Sequence, residues 1–248
     1  MQKTNAYSVW SPPPDNPDLQ PHQVDIWRAR LDLPMEALKG WEAVLSSEEA
    51  ERAARFHFPK DRDRYIAAHG FLRGVLSRYL LCTPDELTFS ANDYGKPVLI
   101  GHKLEFNLSH SGDFALVALT RGYKIGVDLE RVRQGISSLV IARQYFSKSE
   151  IAELQGLPLD QREAAFFTCW TRKEAYIKAQ GLGLSLPLES FDVSLTPNQP
   201  TILRATRPDA DEAARWTLRS LEIDPRYAAA VAVEGKDLEF KLLDWNAS

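Results

Sequence analysis

One order of elements occurs twice along the chain, and this repetition constrains the fold more than any other feature. In each half, a strand with alternating apolar residues precedes a helix start with capping-box chemistry, a longer helical stretch and a returning apolar strand. In the first half these segments are residues 24–31, 46–49, 61–81 and 114–119. In the second half they are residues 127–131, 147–150, 161–180 and 227–233. The shared order favours an internal duplication over the alternative, a chance likeness of two α+β segments.

A duplicated chain predicts an α+β fold in which two similar halves pack as a pseudo-dimer, with the active site in the cleft between them. We place the N-terminal half at residues 24–122 and the C-terminal half at residues 123–248. Residues 1–23 are interpreted as a proline-rich extension across the surface, because prolines at positions 12, 13, 14, 17 and 21 exclude a helix and a central strand. The role of this extension stays open. Because both walls of the cleft belong to one chain, we expect a monomer.

The composition argues against several classes of function. The formal net charge of −4 is unlike that of nucleic-acid-binding proteins, which usually carry a basic excess. No apolar stretch reaches the ~18 residues of a membrane span, and the N-terminal residues contain no apolar signal segment. We therefore expect a cytoplasmic protein with no membrane or nucleic-acid partner. Cys82 and Cys169 lie in apolar surroundings, which favours packed thiols over nucleophiles.

Two carboxylates lie close together on the strand at residues 127–131. Asp128 and Glu130 are two positions apart, so their side chains leave the same face of the strand while Leu129 leaves the other. Converging carboxylates repel each other unless protons or a cation offset their charge, and Mg²⁺ with oxygen ligands fits that role. The alternative is a strand end whose acidic side chains are simply solvated.

A third carboxylate interrupts the apolar face of the second long helix. Helical spacing places four side chains along one stripe: Phe167, Trp170, Glu174 and Ile177. A carboxylate in such a stripe is costly unless it binds a metal ion or pairs with a neighbouring lysine, which is the alternative. Lys178 lies one turn beyond Glu174 and would present a cation beside whatever the carboxylates hold.

Two polar turns lie upstream of these residues. Residues 107–111 read NLSHS, and their hydroxyls, imidazole and backbone amides suit a phosphate. Ser109 and His110 would point apart on a strand, so they do not form a Ser-His-Asp site. Residues 94–97 read YGKP, which is also compatible with a plain β-turn.

Together these segments resemble the motifs of the 4′-phosphopantetheinyl transferase superfamily. GVDLE at residues 126–130 is similar to the family's G-[IV]-D-[IL]-E, and WTRKEA at residues 170–175 is similar to W-x-x-K-E-[AS], followed by GLGL at residues 181–184. The NLSHS and YGKP segments resemble the upstream motifs, and all four occur in family order. The likeness runs from about residue 24 to residue 235. The chain length resembles the surfactin-synthetase-activating (Sfp) type, in which two similar halves share one chain.

This resemblance implies an enzyme that transfers the 4′-phosphopantetheine arm of coenzyme A to a serine of an apo carrier protein and releases 3′,5′-ADP. The carrier could be an acyl, polyketide or peptidyl carrier. The resemblance implies Mg²⁺ bound by Asp128, Glu130 and Glu174, with Lys178 on the pyrophosphate. Asp128, Glu174 and Lys178 are then the catalytic residues. Glu174 is the candidate base for the carrier serine, either directly or through a water on the metal.

The resemblance also implies a set of contacts to coenzyme A. Around its nucleotide it places Lys96, Ser109 and His110, with His110 near the 3′-phosphate. The family uses basic residues on the first helices, for which the candidates here are Arg52, Arg55 and Arg64. Glu49 stands where some relatives carry lysine, which leaves the individual basic contacts open.

Two other functions fit the sequence less well than this one. A carrier-binding module without catalysis would not need three costly carboxylates in one cleft. A metal-dependent nuclease would use the same acids, but the acidic charge balance argues against it.

The segment at residues 131–149 is the predicted docking surface for an acidic carrier protein. It contains four basic residues and no acidic one: Arg131, Arg133, Arg143 and Lys148. It also contains four apolar residues, which we expect to be displayed: Ile136, Leu139, Val140 and Ile141. A basic rim around an apolar patch complements a small acidic partner. The alternative is a solvated basic face over an ordinary core helix.

Overall fold

The computed structural model describes residues 9–14, 16–136, 138–196 and 199–245 and has a mixed α+β fold. The α-helices are α1 (Met35–Ala43), α2 (Ser47–Ala54), α3 (Pro59–Leu80), α4 (Ser138–Tyr145), α5 (Lys148–Gly156) and α6 (Leu159–Gln180). The strands of the first half are β1 (Gln23–Arg30), β2 (Phe89–Ala91), β3 (Pro97–Leu99), β4 (Glu105–Ser111) and β5 (Phe114–Thr120). The later strands are β6 (Ile125–Arg131), β7 (Phe191–Val193), β8 (Leu203–Thr206), β9 (Trp216–Ser220), β10 (Tyr227–Glu234) and β11 (Glu239–Asp244).

The repeated order of elements predicted from the sequence is confirmed. The two long helices, α3 and α6, each contain 22 residues. The helices before them, α2 and α5, both begin with reciprocal capping boxes, formed by Ser46 with Glu49 and by Ser147 with Glu150. Each box satisfies two backbone groups that would otherwise lack partners at a helix start. The same type of helix N-terminus therefore occurs once in each half, and the two halves share the same order of elements.

The strands form two principal sheets. The first has the order β11-β1-β5-β4, in which β11 is parallel to β1 and the other pairs are antiparallel. The second is antiparallel and has the order β6-β10-β9. The last strand of the chain, β11, thus pairs within the sheet of the first half. Ser11 of the proline-rich segment bonds to Leu242 and Asp244 of β11, so the described part of this segment runs along the sheet edge.

Three apolar cores hold the layers together. One lies between α3 and the first sheet, and a second lies between α6 and the second sheet. The third lies between the two sheets and includes Ile26, Leu116, Leu129 and Val231. Leu129 points into this third core, so the residues on either side of it in β6 point the opposite way, towards α6. The fold thereby directs Asp128 and Glu130 out of the apolar core.

The two cysteines agree with the sequence-based expectation of packed thiols. Cys169 is fully buried and burial raises the pKa of its thiol, while Cys82 is half-buried; both are free thiols. Within the described residues, no helix combines the length and the apolar character needed to cross a bilayer.

Candidate active site

Strand β6 and helix α6 bring a carboxylate and an ammonium group together. Asp128 is 4% exposed, and its Oδ1 lies 2.5 Å from the Nζ of Lys178. Lys178 also donates to the hydroxyl of Ser109 at 3.1 Å. The second carboxylate oxygen, Asp128 Oδ2, is buried and has no hydrogen-bond partner. A buried carboxylate oxygen without a partner is costly, so it marks a place where a ligand would be stabilising.

The contact between β6 and α6 depends on Gly126. A Cβ at this position would lie 2.2 Å from the carbonyl oxygen of Ala175 and 2.3 Å from the amide nitrogen of Ala179. Both contacts are to the backbone of α6, so no side-chain rotation could relieve them. Only glycine allows the strand and the helix to approach this closely, and that approach sets the distance between Asp128 and Lys178.

The other two carboxylates of the site are half-buried and interact electrostatically with Asp128. Desolvation and then the charge of Asp128 raise the pKa of Glu130, against a hydrogen bond from Ser111 and the charge of Lys178. Desolvation, followed by the charge of Asp128, also raises the pKa of Glu174, and Glu130 adds to this effect. Three carboxylates therefore share one region of negative potential, as the sequence analysis expects.

The arrangement is compatible with a bound cation but does not by itself form a closed ligand cage. Among the residues that the structure describes, no three acidic, histidine or cysteine side chains converge tightly enough to surround one ion. Three features nevertheless suit Mg²⁺: the oxygen donors, the mutual repulsion of the carboxylates and the unpartnered Asp128 Oδ2. Further oxygen ligands would have to come from water or from a bound phosphate, which is common for this ion.

A groove of about 340 Å³ opens beside these residues and is formed by both halves of the chain. From the first half it is lined by residues 94–97 together with Asn107 and Leu108. From the second half it is lined by Glu174, Ile177, Lys178, Gly181 and Gly183. The YGKP segment is therefore a turn, with Gly95 at a φ of +84°, and at the same time one wall of the groove. This position between the halves is the one that the duplicated sequence predicts.

A second groove of about 450 Å³ lies on the other side of Gly95 and Pro97, which line both. Its polar and aromatic lining comes largely from α2 and α3 and includes Arg52, Tyr65 and His69. The ring of Tyr65 stacks on His69 at 4.1 Å between centroids, and the guanidinium of Arg52 lies 5.8 Å from the centre of the Tyr65 ring. The two adjacent grooves form a continuous candidate surface for an extended anionic ligand.

His110 keeps solvent contact at the end of β4, whereas its neighbour Ser109 is buried. The two side chains therefore point apart, as predicted. The surrounding protein desolvates the imidazole, and four positive groups act on it: His69, Lys178, Arg64 and Arg52. Together these effects lower the pKa of His110 to about 4. The imidazole is therefore neutral near pH 7 in a region that favours an added anion.

Three of the predicted basic contacts already have protein partners. Arg64 forms an ion pair of 2.5 Å with Asp113, and the exposed Arg55, which directly follows the last residue of α2, lies 3.8 Å from Glu51. Lys96 donates to the carbonyl oxygens of Ile125 at 2.9 Å and Ala179 at 3.3 Å, and burial lowers its pKa. Lys96 thus joins the turn of the first groove to the end of α6.

Glu49, where a lysine might be expected, has a structural role. It accepts from the backbone of Ser46 in the capping box, from Arg73 at 2.7 Å, and lies 3.1 Å from His69. Desolvation raises its pKa, but these three partners outweigh that effect and lower the pKa to about 2. The carboxylate therefore stays ionised and anchors α2 to α3.

A larger groove, of about 660 Å³, lies away from this site. It is bounded by Trp10, Arg28 and residues 221–225, and Arg28 is paired with Asp244 at 2.7 Å. Its size alone does not make it the better candidate: Asp224 in its lining is already paired with Arg226, and among the described residues no buried carboxylate oxygen without a partner lines it, whereas one lies beside Lys178.

The comparisons with known proteins agree with the geometry. Residues 34–121 match a family model described as the N-terminal part of 4′-phosphopantetheinyl transferase, and residues 124–232 match that of the 4′-phosphopantetheinyl transferase superfamily. The 4′-phosphopantetheinyl transferase HetI of Nostoc sp. is 40% identical over 92% of this chain and 94% of its own length. The chain belongs to the 4′-phosphopantetheinyl transferase superfamily.

Other relatives place this transferase within the Sfp type. The 4′-phosphopantetheinyl transferase Sfp of Bacillus subtilis is 32% identical over 86% of this chain and 93% of its own length. Among solved structures, the holo-[acyl-carrier-protein] synthase of Thermotoga maritima is 22% identical over 46% of this chain and 63% of its own, with a TM-score of 0.36. The resemblance inferred from the motifs is confirmed by the family models and the curated relatives.

The structure of this transferase also reveals a buried ion pair that sequence reasoning missed. Lys173 precedes Glu174 on α6, but its ammonium pairs with Glu150 of α5 at 2.8 Å, and both side chains are fully buried. Lys173 also donates to the carbonyl oxygens of Leu188 and Phe191. The ammonium of Lys173 is thus fully engaged in contacts that hold α6 in place. The one sign of this burial in the sequence is that the neighbours of Lys173 on α6 are apolar.

Proposed function

We propose that this enzyme transfers the 4′-phosphopantetheine arm of coenzyme A to a serine of an apo carrier protein in a Mg²⁺-dependent reaction that releases 3′,5′-ADP. The observation that carries the proposal is the unpartnered, buried Oδ2 of Asp128, whose other oxygen pairs with Lys178, a residue that lines a groove formed by both halves. Asp128, Glu130 and Glu174 would hold the cation. When bound, Mg²⁺ would neutralise charge on the pyrophosphate of the donor.

Lys178 is assigned to the departing phosphate. Its ammonium is shared between Asp128 and Ser109 and lines the groove next to Glu174. A phosphate oxygen entering the groove would find this positive charge already oriented, with no further reorganisation required. As the bond between the β-phosphorus and its bridging oxygen breaks, Lys178 would stabilise the negative charge that develops on 3′,5′-ADP.

Glu174 is assigned as the group that accepts the proton of the carrier serine. Its pKa is raised by desolvation and by Asp128 and Glu130, which makes it a stronger base than a solvated glutamate. It lines the groove formed by both halves, where the donor and the serine must meet. The serine oxygen would attack the β-phosphorus while its proton passes to the Glu174 carboxylate.

The second groove is assigned to the nucleotide of coenzyme A. Arg52 lines it, and the neutral His110 faces the same cluster of positive charge. An anionic 3′-phosphate would be stabilised there by both groups. Ser109, Lys96 and Arg64 each have protein partners, so we propose that they support these walls. Arg55, exposed directly after the end of α2, remains a candidate contact.

The carrier protein is proposed to dock on residues 131–149. Arg131, Arg133, Arg143 and Lys148 are all exposed, which supports a basic rim. The apolar part is smaller than the sequence suggests, because Ile136, Leu139 and Ile141 pack partly against the second core. Val140 is 65% exposed and Tyr145 38% exposed, and these two side chains supply the apolar centre. Ser137 lies outside the described residues.

We further propose a monomeric, cytoplasmic enzyme. A monomer is supported because the groove beside Asp128 receives walls from both halves of the same chain. A reducing compartment is supported because both cysteines are free thiols.

The proposal is tested by measuring transfer and 3′,5′-ADP release with and without EDTA, for the wild type and for Asp128→Ala. Loss of this carboxylate should lower turnover by at least ~10²-fold, the effect of removing one electrostatic stabiliser. The fold should persist, because Lys178, the partner that this substitution leaves behind, is 30% exposed and its ammonium can be solvated by water. Full activity in EDTA, or near-normal transfer by the variant, would contradict the metal assignment.

A further inference from the structure

Side chains of β4 take the place of a neighbouring strand along one edge of β6. The other edge of β6 pairs with β10 through the backbone. On the free edge, every second backbone N–H donates to a side chain of β4, and the two strands run alongside each other. The three bonds run from Val127 to Asn107 Oδ1 (2.9 Å), from Leu129 to Ser109 Oγ (3.2 Å) and from Arg131 to Ser111 Oγ (3.1 Å). These bonds satisfy edge donors that would otherwise lack partners between the two sheets.

The two serines of this ladder make a second contact that the asparagine does not. Ser109 Oγ donates to Asp128 Oδ1 at 3.1 Å, and Ser111 Oγ donates to Glu130 Oε2 at 3.0 Å. Each serine hydroxyl thus accepts a hydrogen bond from the backbone amide of one β6 residue and donates a hydrogen bond to the side-chain carboxylate of the β6 residue just before it. The same arrangement occurs twice, two residues apart on both strands. Its targets are Asp128 and Glu130, the two acidic side chains of β6 that point towards α6.

We propose that Ser109 and Ser111 are positioning residues that hold the carboxylates of Asp128 and Glu130 in the orientation that binds the cation. The inference rests on the proposed metal site. A glutamate side chain has several freely rotating bonds, and a hydroxyl held by the backbone of the next residue restricts them. Partners of this kind around metal ligands orient the ligand and raise its effectiveness. Ser111 gives the cleaner test, because Ser109 is buried and also accepts from Lys178.

Asn107 provides a matched control within the same ladder. Its Oδ1 accepts from the amide of Val127 as the serine hydroxyls accept from theirs, but among the described residues it bonds to no carboxylate of the site. Asn107→Ala therefore removes the bond that holds the strand and leaves the carboxylate contacts intact. Because Asn107 also lines the groove, coenzyme A is kept at a saturating concentration for every variant. Ser111→Ala removes both the bond from the amide of Arg131 and the bond to Glu130, whereas Ser111→Thr keeps a hydroxyl that can form both.

The experiment measures Mn²⁺ binding by electron paramagnetic resonance, with coenzyme A present and no carrier, so that no turnover occurs. Ser111→Ala should raise the Kd for Mn²⁺ by about 10- to 100-fold, the usual cost of losing a partner of a metal ligand. Ser111→Thr should bind close to wild type. Asn107→Ala should keep its affinity for Mn²⁺ once coenzyme A is saturating, which compensates for any weaker contact of the groove with the donor, although this variant should melt at a lower temperature. In transfer assays, Ser111→Ala should need more Mg²⁺ for half-maximal rate while its rate at saturating Mg²⁺ changes much less.

Two results would overturn the inference, and only the second would also overturn the proposed metal site. If the wild type binds Mn²⁺ and Ser111→Ala binds it equally well, or if Asn107→Ala weakens binding as much as Ser111→Ala, the serines only hold the strand and the metal site stands. If the wild type binds no Mn²⁺ and transfers fully in EDTA, the proposed metal site fails and the inference fails with it.

Discussion

Substituting Gly126 by alanine tests whether the approach of β6 to α6 sets the catalytic geometry. The added Cβ would lie 2.2 Å from the carbonyl oxygen of Ala175, and real Cβ contacts below 3.0 Å are essentially never seen. Relief therefore requires a shift of about 0.8 Å, the difference between these distances. Because the atoms it meets belong to the helix backbone, α6 must move as a unit. Glu174 and Lys178 would move with it, away from Asp128.

The expected cost has two parts that can be measured separately. Overpacking should lower the free energy of unfolding by about 1–3 kcal/mol. A misplacement approaching 1 Å should lower kcat/KM for carrier modification by about 10²-fold. Activity is assayed on apo carrier at a temperature where denaturant titration shows that the variant is folded. Gly156→Ala is the control, since a Cβ there meets nothing within 4 Å and should leave both quantities near wild type. Gly126→Ala with wild-type kcat/KM would refute the reasoning.

The remaining predictions concern docking, stability, titration and assembly. Reversing Arg133 and Arg143 to glutamate should raise the KM for an acidic carrier by about five- to thirtyfold, more at low salt, with the KM for coenzyme A unchanged; equal rises in both KM values would move the docking surface elsewhere. Lys173→Met should destabilise the protein by about 3–5 kcal/mol because Glu150 is left buried without its partner, and denaturant titration that shows no loss would contradict this. His110 should stay neutral in NMR titrations until the pH approaches about 4, and coenzyme A should raise its pKa. Because the pKa of His110 is lower in the folded protein than in the unfolded chain, protonation of this residue favours unfolding as the pH falls from about 6.5 to about 4. Titration of His110 with an ordinary histidine pKa would disprove this. Sedimentation at micromolar concentration should give the 28.0 kDa species, active in proportion to its concentration, whereas an obligate dimer would contradict the proposed monomer.

Local sequence patterns predicted the elements well because those patterns act within a few residues. The two capping boxes join residues three positions apart, and the alternation of residues 127–131 decides which side chains enter the core between the sheets and which point towards α6. The stripe on α6 likewise predicted that Glu174 would be partly desolvated, as the rise in its pKa shows. The positions of Asp128 and Lys178 therefore followed from periodicity once the two elements were known to pack.

Contacts between distant residues could not be predicted in this way. Lys173 lies 23 positions from Glu150, and although its apolar neighbours on α6 indicate burial, no local pattern identifies the buried carboxylate with which it pairs. Lys96 was expected at the nucleotide, but the structure shows its ammonium bonded to carbonyl oxygens of β6 and α6. The alternation of Asn107, Ser109 and Ser111 was visible in the sequence, but its partner strand was not. Such pairings depend on how the sheets and helices pack.

The central claim is the transfer of phosphopantetheine to a carrier serine, and intact-protein mass spectrometry tests it most directly. Several apo carriers of the acyl, polyketide and peptidyl types are incubated with coenzyme A, Mg²⁺ and the enzyme, and the modified residue is located by fragmentation. The account predicts that at least one carrier gains the mass of a single phosphopantetheinyl group on a serine, and that this gain disappears in EDTA and with Asp128→Ala. No mass gain on any carrier, or a gain that EDTA and the substitution leave unchanged, would contradict it.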